Sequence, residues 1–187
     1  MRRARLALLA SGLALSIWSN ALAVETRVID DPAEFAEEMP SWRFVADGVM
    51  GGLSTGSLKR EEIADRSAVR LQGRVRLEKN GGFIQVALDL GIDASGWDGI
   101  ELDVYGNGES YSVHLRTNDT LLPWQSYRMP ILAQGAWKVI RLPFKSFKPH
   151  RLYVPLDVTR LERMGVVAIG RAFEADVAIG GARLYRE

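Results

Sequence analysis

From residue 40 onward, apolar and polar residues alternate in short runs. In 68–77, Val69, Leu71, Val75 and Leu77 alternate with Arg70, Gln72, Arg74 and Arg76. That period predicts a strand with one wet face. Lys79-Asn80-Gly81-Gly82 carries hairpin-type turn chemistry, so the run 83–90 is expected to pair with 68–77. Further strands are predicted over 99–106, 111–117, 124–129 and 136–142, with closing strands at 164–169 and 175–185. Strands at roughly 8–12-residue spacing predict an all-β sandwich or barrel. Helix signals are few. Asp30-Asp31-Pro32 predicts a short helix that turns Phe35 and Met39 inward and ends at Pro40. The stretch 157–163 predicts one or two helical turns capped by Asp157 or Thr159. No internal repeat, low-complexity tract or linker interrupts the pattern.

The first residues follow another logic. Arg2, Arg3 and Arg5 precede an apolar run over 6–18, and Ala21-Leu22-Ala23 supplies the small residues of a cleavage site. This predicts a signal peptide over 1–23 and one mature domain over 24–187, exported and periplasmic. Nothing later predicts a transmembrane segment. The whole chain has 24 basic and 23 acidic residues. The leader holds three arginines and no acid, so the remaining 164 residues hold 21 basic and 23 acidic ones. No basic surplus points to nucleic acid. The absence of cysteine excludes disulfides, thiolate metal sites and a cysteine nucleophile.

Candidate chemistry is sparse. His114 and His150 are the only histidines. They supply neither a zinc set nor a nucleophile–base pair, so a satisfied structural role is expected for His114 and an exposed one for His150. Glu101 and Asp103 fall on the polar side of an alternating strand and are expected to be solvated. Trp97 and Trp137 open strands and are expected in the core. No catalytic residue, metal site or cofactor is expected.

Two places draw attention. The segment 47–56 contains Asp47 and four glycines, Gly48, Gly51, Gly52 and Gly56. It spells no phosphate-binding fingerprint. It is read as a tight turn in which Asp47 bonds nearby amides, with calcium ligation by Asp47 as the other reading. The second place is Trp124, which follows a polar loop near Arg116 and Asn118. An exposed tryptophan there suits a sugar ring or a protein partner; the other reading has Trp124 cap the core. Asp47, Arg116, Asn118 and Trp124 are therefore the candidate ligand or partner residues.

Several segments, in order, resemble one family. Trp42-Arg43-Phe44-Val45-Ala46-Asp47-Gly48-Val49-Met50-Gly51-Gly52-Leu53-Ser54-Thr55-Gly56 looks like the signature of the complex I intermediate-associated protein 30 (CIA30) family. Asn80-Gly81-Gly82-Phe83, Arg116-Thr117-Asn118 and the stretch from Trp137 to Phe144 resemble its later blocks. The resemblance implies a galactose-binding-like jelly-roll β-sandwich. The family's best-known member is a chaperone that assists assembly of respiratory complex I in mitochondria, not an enzyme. Its leader sets this chain apart, since it reads as bacterial export. The resemblance implies a protein partner, a fold related to carbohydrate-binding modules, and hence a glycan as the alternative ligand.

Overall fold

Period-two patterning becomes twelve strands among the described residues, which are 24–34 and 41–187 of a computed structural model. They are β1 (Glu25–Asp30), β2 (Arg43–Ala46), β3 (Thr55–Glu62), β4 (Ser67–Val75), β5 (Phe83–Ile92) and β6 (Gly99–Gly106). Then follow β7 (Ser110–Thr117), β8 (Ser126–Leu132), β9 (Lys138–Pro143), β10 (Lys148–His150), β11 (Leu161–Ile169) and β12 (Phe173–Arg186). The expected leader and the 35–40 part of the expected helix lie outside the described residues. Asp30 itself is not a helix start but the end of β1. The expected turns near 157 form one short 3-10 segment, where Asp157 accepts from the Thr159 amide at 3.0 Å.

The strands form two antiparallel sheets. One runs β3-β4-β12-β6-β9, with β1 also paired to β12; the other runs β10-β8-β7-β11-β5-β2. Inward side chains of both sheets meet in one core that includes Leu71, Val104, Leu115, Tyr127, Met164 and Ile179. This is a jelly-roll sandwich of the galactose-binding-like kind.

The expected hairpin between 68–77 and 83–90 does not form. β4 pairs with β3 and β12, whereas β5 pairs with β2 and β11 in the other sheet. The turn chemistry is real, with Lys79 at φ 55° and Gly82 at φ 137°. It serves a crossing between sheets, because β4 is already held between the preceding β3 and the distant β12, and β5 between β2 and the distant β11.

Two expectations about facing also change. Trp97 packs against the core from a half-buried position. Trp137 instead lies on the outer face of the first sheet, under the Arg66 guanidinium and 5.6 Å from the Tyr105 ring. Its indole N–H donates to the Ile63 carbonyl at 3.0 Å. Glu101 and Asp103 do point away from the core, but they are only 5% and 2% exposed. Arginines from neighbouring strands enclose them. Arg141 Nε donates to Glu101 at 2.7 Å, and Arg183 bonds both carboxylates, Nε to Glu101 at 2.7 Å and Nη1 to Asp103 at 2.8 Å. Burial pushes the Asp103 carboxyl up, yet Arg183 and then Arg66 outweigh it and hold the group below its ordinary value. Removing the shared cation leaves Glu101 with Arg141 alone and Asp103 with Arg66 alone, both arginines being more exposed than Arg183. Arg183→Met is therefore expected to lower stability by about 2 kcal/mol, less than for a buried charge left with no partner, read from urea midpoints at neutral pH. An unchanged midpoint contradicts this account of the network.

Candidate functional site

Asp47 begins a 3-10 turn, Asp47–Met50, directly after β2, and is fully buried. Its carboxylate accepts four hydrogen bonds. They come from the Ser54 amide at 3.0 Å, the Ser54 hydroxyl at 2.5 Å, the Gly82 amide at 2.6 Å and the Phe83 amide at 3.2 Å. The one side chain thus ties the β2–β3 connection to the crossing between β4 and β5. Glycine is required around it. A Cβ on Gly52 would lie 2.3 Å from Asp47 Cγ, and one on Gly81 would lie 2.6 Å from Asp47 Oδ2. Carboxylate oxygens ringed by N–H and O–H donors are arranged opposite to a cation site, so the tight-turn reading describes Asp47 and the calcium reading does not.

Arg116 projects from the outer face near the end of β7. Its Nη1 donates to the carbonyls of Leu122, Pro123 and Gln125 at 3.0–3.1 Å, and its Nη2 to that of Thr120 at 2.6 Å. It is thus a brace inside the loop 118–125. Little of the guanidinium is left to hold a ligand. Burial, and then Arg163, lower its pKa, but an arginine so placed is still a cation at neutral pH. Asn118 is exposed in that loop, and so is Trp124, at 51%. Trp124 therefore does not cap the core.

Asp47 and Trp124 do not converge. Ala46, beside Asp47, is in register with Ile84, which faces Ala168 near the start of β7. The loop 118–125 follows the other end of β7. At 3.3 Å per residue, the two places are roughly 20 Å apart along the strands. Arg116, Asn118 and Trp124 remain together.

What the structure adds is the company Trp124 keeps. Leu121 is 83% exposed and Leu122 is exposed too. On the neighbouring loop after β10, Tyr153 is fully exposed and Val154 about half so. The two loops are tied by named bonds. Gln125 Nε2 donates to the Arg151 carbonyl at 3.0 Å, and the buried Tyr127 hydroxyl lies 3.1 and 2.9 Å from the Val154 and Pro155 carbonyls. Large apolar side chains are thus presented on a braced end of the sandwich. Sequence reasoning passed over Leu121, Leu122, Tyr153 and Val154. The available signal was an apolar pair inside an otherwise polar loop, which breaks binary patterning.

The sequence profile of the family described as complex I intermediate-associated protein 30 (CIA30) matches residues 33–178. The chain belongs to this family. No curated protein matches it. Solved structures resemble this CIA30 chain in fold. The family 11 carbohydrate-binding module of cellulosomal cellulase Lic26A-Cel5E of Clostridium thermocellum superposes with a TM-score of 0.69 at 16% identity, covering 87% of this chain and 95% of that one. A family 30 carbohydrate-binding module superposes with a TM-score of 0.57 at 13% identity, covering 87% and 88%. The agarase AgWH50C gives a TM-score of 0.56 at 11% identity over 87% of this chain but only 24% of its own. At such identities the likeness concerns the fold alone. Among the described residues of this CIA30 chain, no helix is long and apolar enough to cross a membrane.

Proposed function

We propose that this chain is a non-catalytic binding domain that assists assembly of a membrane or envelope protein complex, acting after export to the periplasm. One observation carries the reading: Leu121, Leu122, Trp124, Tyr153 and Val154 are exposed together on braced loops at one end of the sandwich. Large apolar side chains exposed on neighbouring loops suit an interaction site, and tryptophan is a frequent hot spot. Family membership supports the assembly role, and the leader supports export. The test is crosslinking and affinity purification from envelope extracts with the wild-type chain and Trp124→Ala. Partners held by the wild type are expected to be recovered at least about tenfold less well with the variant, in keeping with a hot-spot loss of about 2 kcal/mol. Equal recovery of the same partners by both proteins overturns the reading.

A glycan is the second reading, favoured by the exposed Trp124 ring and by the carbohydrate-binding modules among the structural neighbours. Stacking on a sugar ring needs an open aromatic face. On a glycan array, binding that disappears in Trp124→Ala supports this reading; no binding, or unchanged binding, rejects it.

A further inference from the structure

At several places on the outer faces, arginines face carboxylates across strands; where like charges meet instead, as Arg163 with Arg116 and Arg70 with Lys59, Arg163 and Arg70 each also reach a carboxylate. Arg141, Glu101 and Arg183 lie in one row across β9, β6 and β12. Arg74 faces Glu174, and Arg163 faces Asp89. The outer face of β7, β8 and β10 departs from this rule. Lys148 is in register with Arg128, and Arg128 with His114. His150 faces Ser126 two residues further on, on the same face, and Arg151 follows directly. Neighbouring strands are about 4.8 Å apart, so the row packs three basic side chains into roughly 10 Å.

Among the described residues, none of Arg128, Lys148, His150 and Arg151 pairs with a carboxylate. Arg128 is half-buried and makes two neutral contacts: Nε donates to Ser126 Oγ at 2.9 Å, and Nη2 lies 3.5 Å from the Trp124 carbonyl. Next to it, His114 Nε2 is enclosed and has no hydrogen-bond partner. Gly165, beside His114 in the same row, contributes no side chain, and the Gln85 amide oxygen lies 2.8 Å from where its Cβ would be. Like charges directly opposite one another destabilise a sheet, and an unsatisfied buried polar atom costs stability as well. Local rules broken together are expected at functional or strained sites.

We propose that the outer face of β7, β8 and β10 binds a ligand bearing an oxyanion, seated between Arg128 and Lys148 with His114 at its floor and His150 at its rim. The planar guanidinium of Arg128 matches carboxylate, sulfate or phosphate through paired N–H donors, and Lys148 adds a point charge. The ligand supplies the counter-charge that no described strand provides. The site adjoins the apolar loop end through the Trp124 carbonyl but uses none of its side chains. It therefore stands whether or not that end binds a partner.

The test is a titration of the 15N-labelled protein at pH 7 with sodium phosphate, sodium sulfate and sodium glucuronate, each against sodium chloride at equal ionic strength and against neutral glucose. The readouts are the His114 ring nitrogens and Arg128 Nε. Saturable shifts with at least one oxyanion, and none with glucose, are expected. The anion that saturates lowest identifies the source as phosphate, sulfate or an acidic sugar. Affinity is expected to fall roughly tenfold in Arg128→Gln, the loss of a charge-assisted bond, and roughly threefold in Lys148→Gln. Lys148 is exposed, so its variant serves even if Arg128→Gln folds poorly. Shifts that grow linearly and equally with chloride show screening only and overturn the proposal. Saturable binding that both variants leave intact overturns it too.

Discussion

Asp47→Ala is expected to lower stability by about 4 kcal/mol, from the loss of several charge-assisted hydrogen bonds around one buried group. The carboxylate is fully buried and accepts from Ser54, Gly82 and Phe83. Truncation leaves three backbone amides facing an apolar methyl. It also releases the clamp between the β2–β3 connection and the crossing that carries the chain from one sheet to the other. Asp47→Asn keeps the volume but turns N–H groups toward N–H groups, so it is expected to recover little. The carboxyl titration has a definite sign. Burial raises its pKa, but the Ser54 hydroxyl and the three amides together hold it below the ordinary value. Its contribution is therefore present above the unfolded carboxyl value near pH 4 and is lost as pH falls through the lower folded value. Urea unfolding from pH 7 to pH 2 checks both points. A variant of wild-type stability that no longer binds a partner would reassign Asp47 from folding to recognition.

His114 governs the second large effect, which is acid sensitivity. Its imidazole is pushed down to about 3, first by burial and then by Arg128 and His150. The unfolded chain, with an ordinary histidine near 6.5, takes up the proton first as pH falls. Stability is thus complete above pH 6.5 and declines across the window down to pH 3, by about 3 kcal/mol at pH 4. His150 adds to the same slope, because burial, Arg128 and Arg151 lower it as well. His114→Gln is expected to flatten the dependence between pH 6.5 and 4.5, where carboxylates contribute little. Urea midpoints at pH 7, 5.5 and 4.5 for both proteins decide it, and parallel curves would count against the buried-imidazole account. The expectation of a satisfied structural histidine was therefore wrong in one respect: Nε2 is enclosed without a partner.

Part of the candidate site was legible in the chain. Arg116, Asn118 and Trp124 lie close in sequence and stay close in space, because one loop carries them. Trp124 is exposed, as a binding role requires. Arg116 misled, since a charged residue beside a loop looks like a ligand contact until the loop's carbonyls are seen to take its donors. Asp47 was read as a turn residue, and it is one. Its partners Gly82 and Phe83 are 35 and 36 positions away, which no local pattern discloses.

Period-two alternation and turn chemistry, read from the chain alone, were enough to place most strands, assign the sandwich class and locate the glycine turn. Spaced motifs were enough for the family. These are local signals, because side chains alternate between the two faces of any strand wherever that strand later pairs. Tertiary structure alone decided the rest. Pairing with the distant β12 and β11 put β4 and β5 in different sheets, arginines from neighbouring strands enclosed Glu101 and Asp103, and Trp137 came to lie outside the core. Register also aligned His114, Arg128 and Lys148 in one row. Alternation tells the two faces of a strand apart but not what lies beside or above them, which only long-range pairing determines.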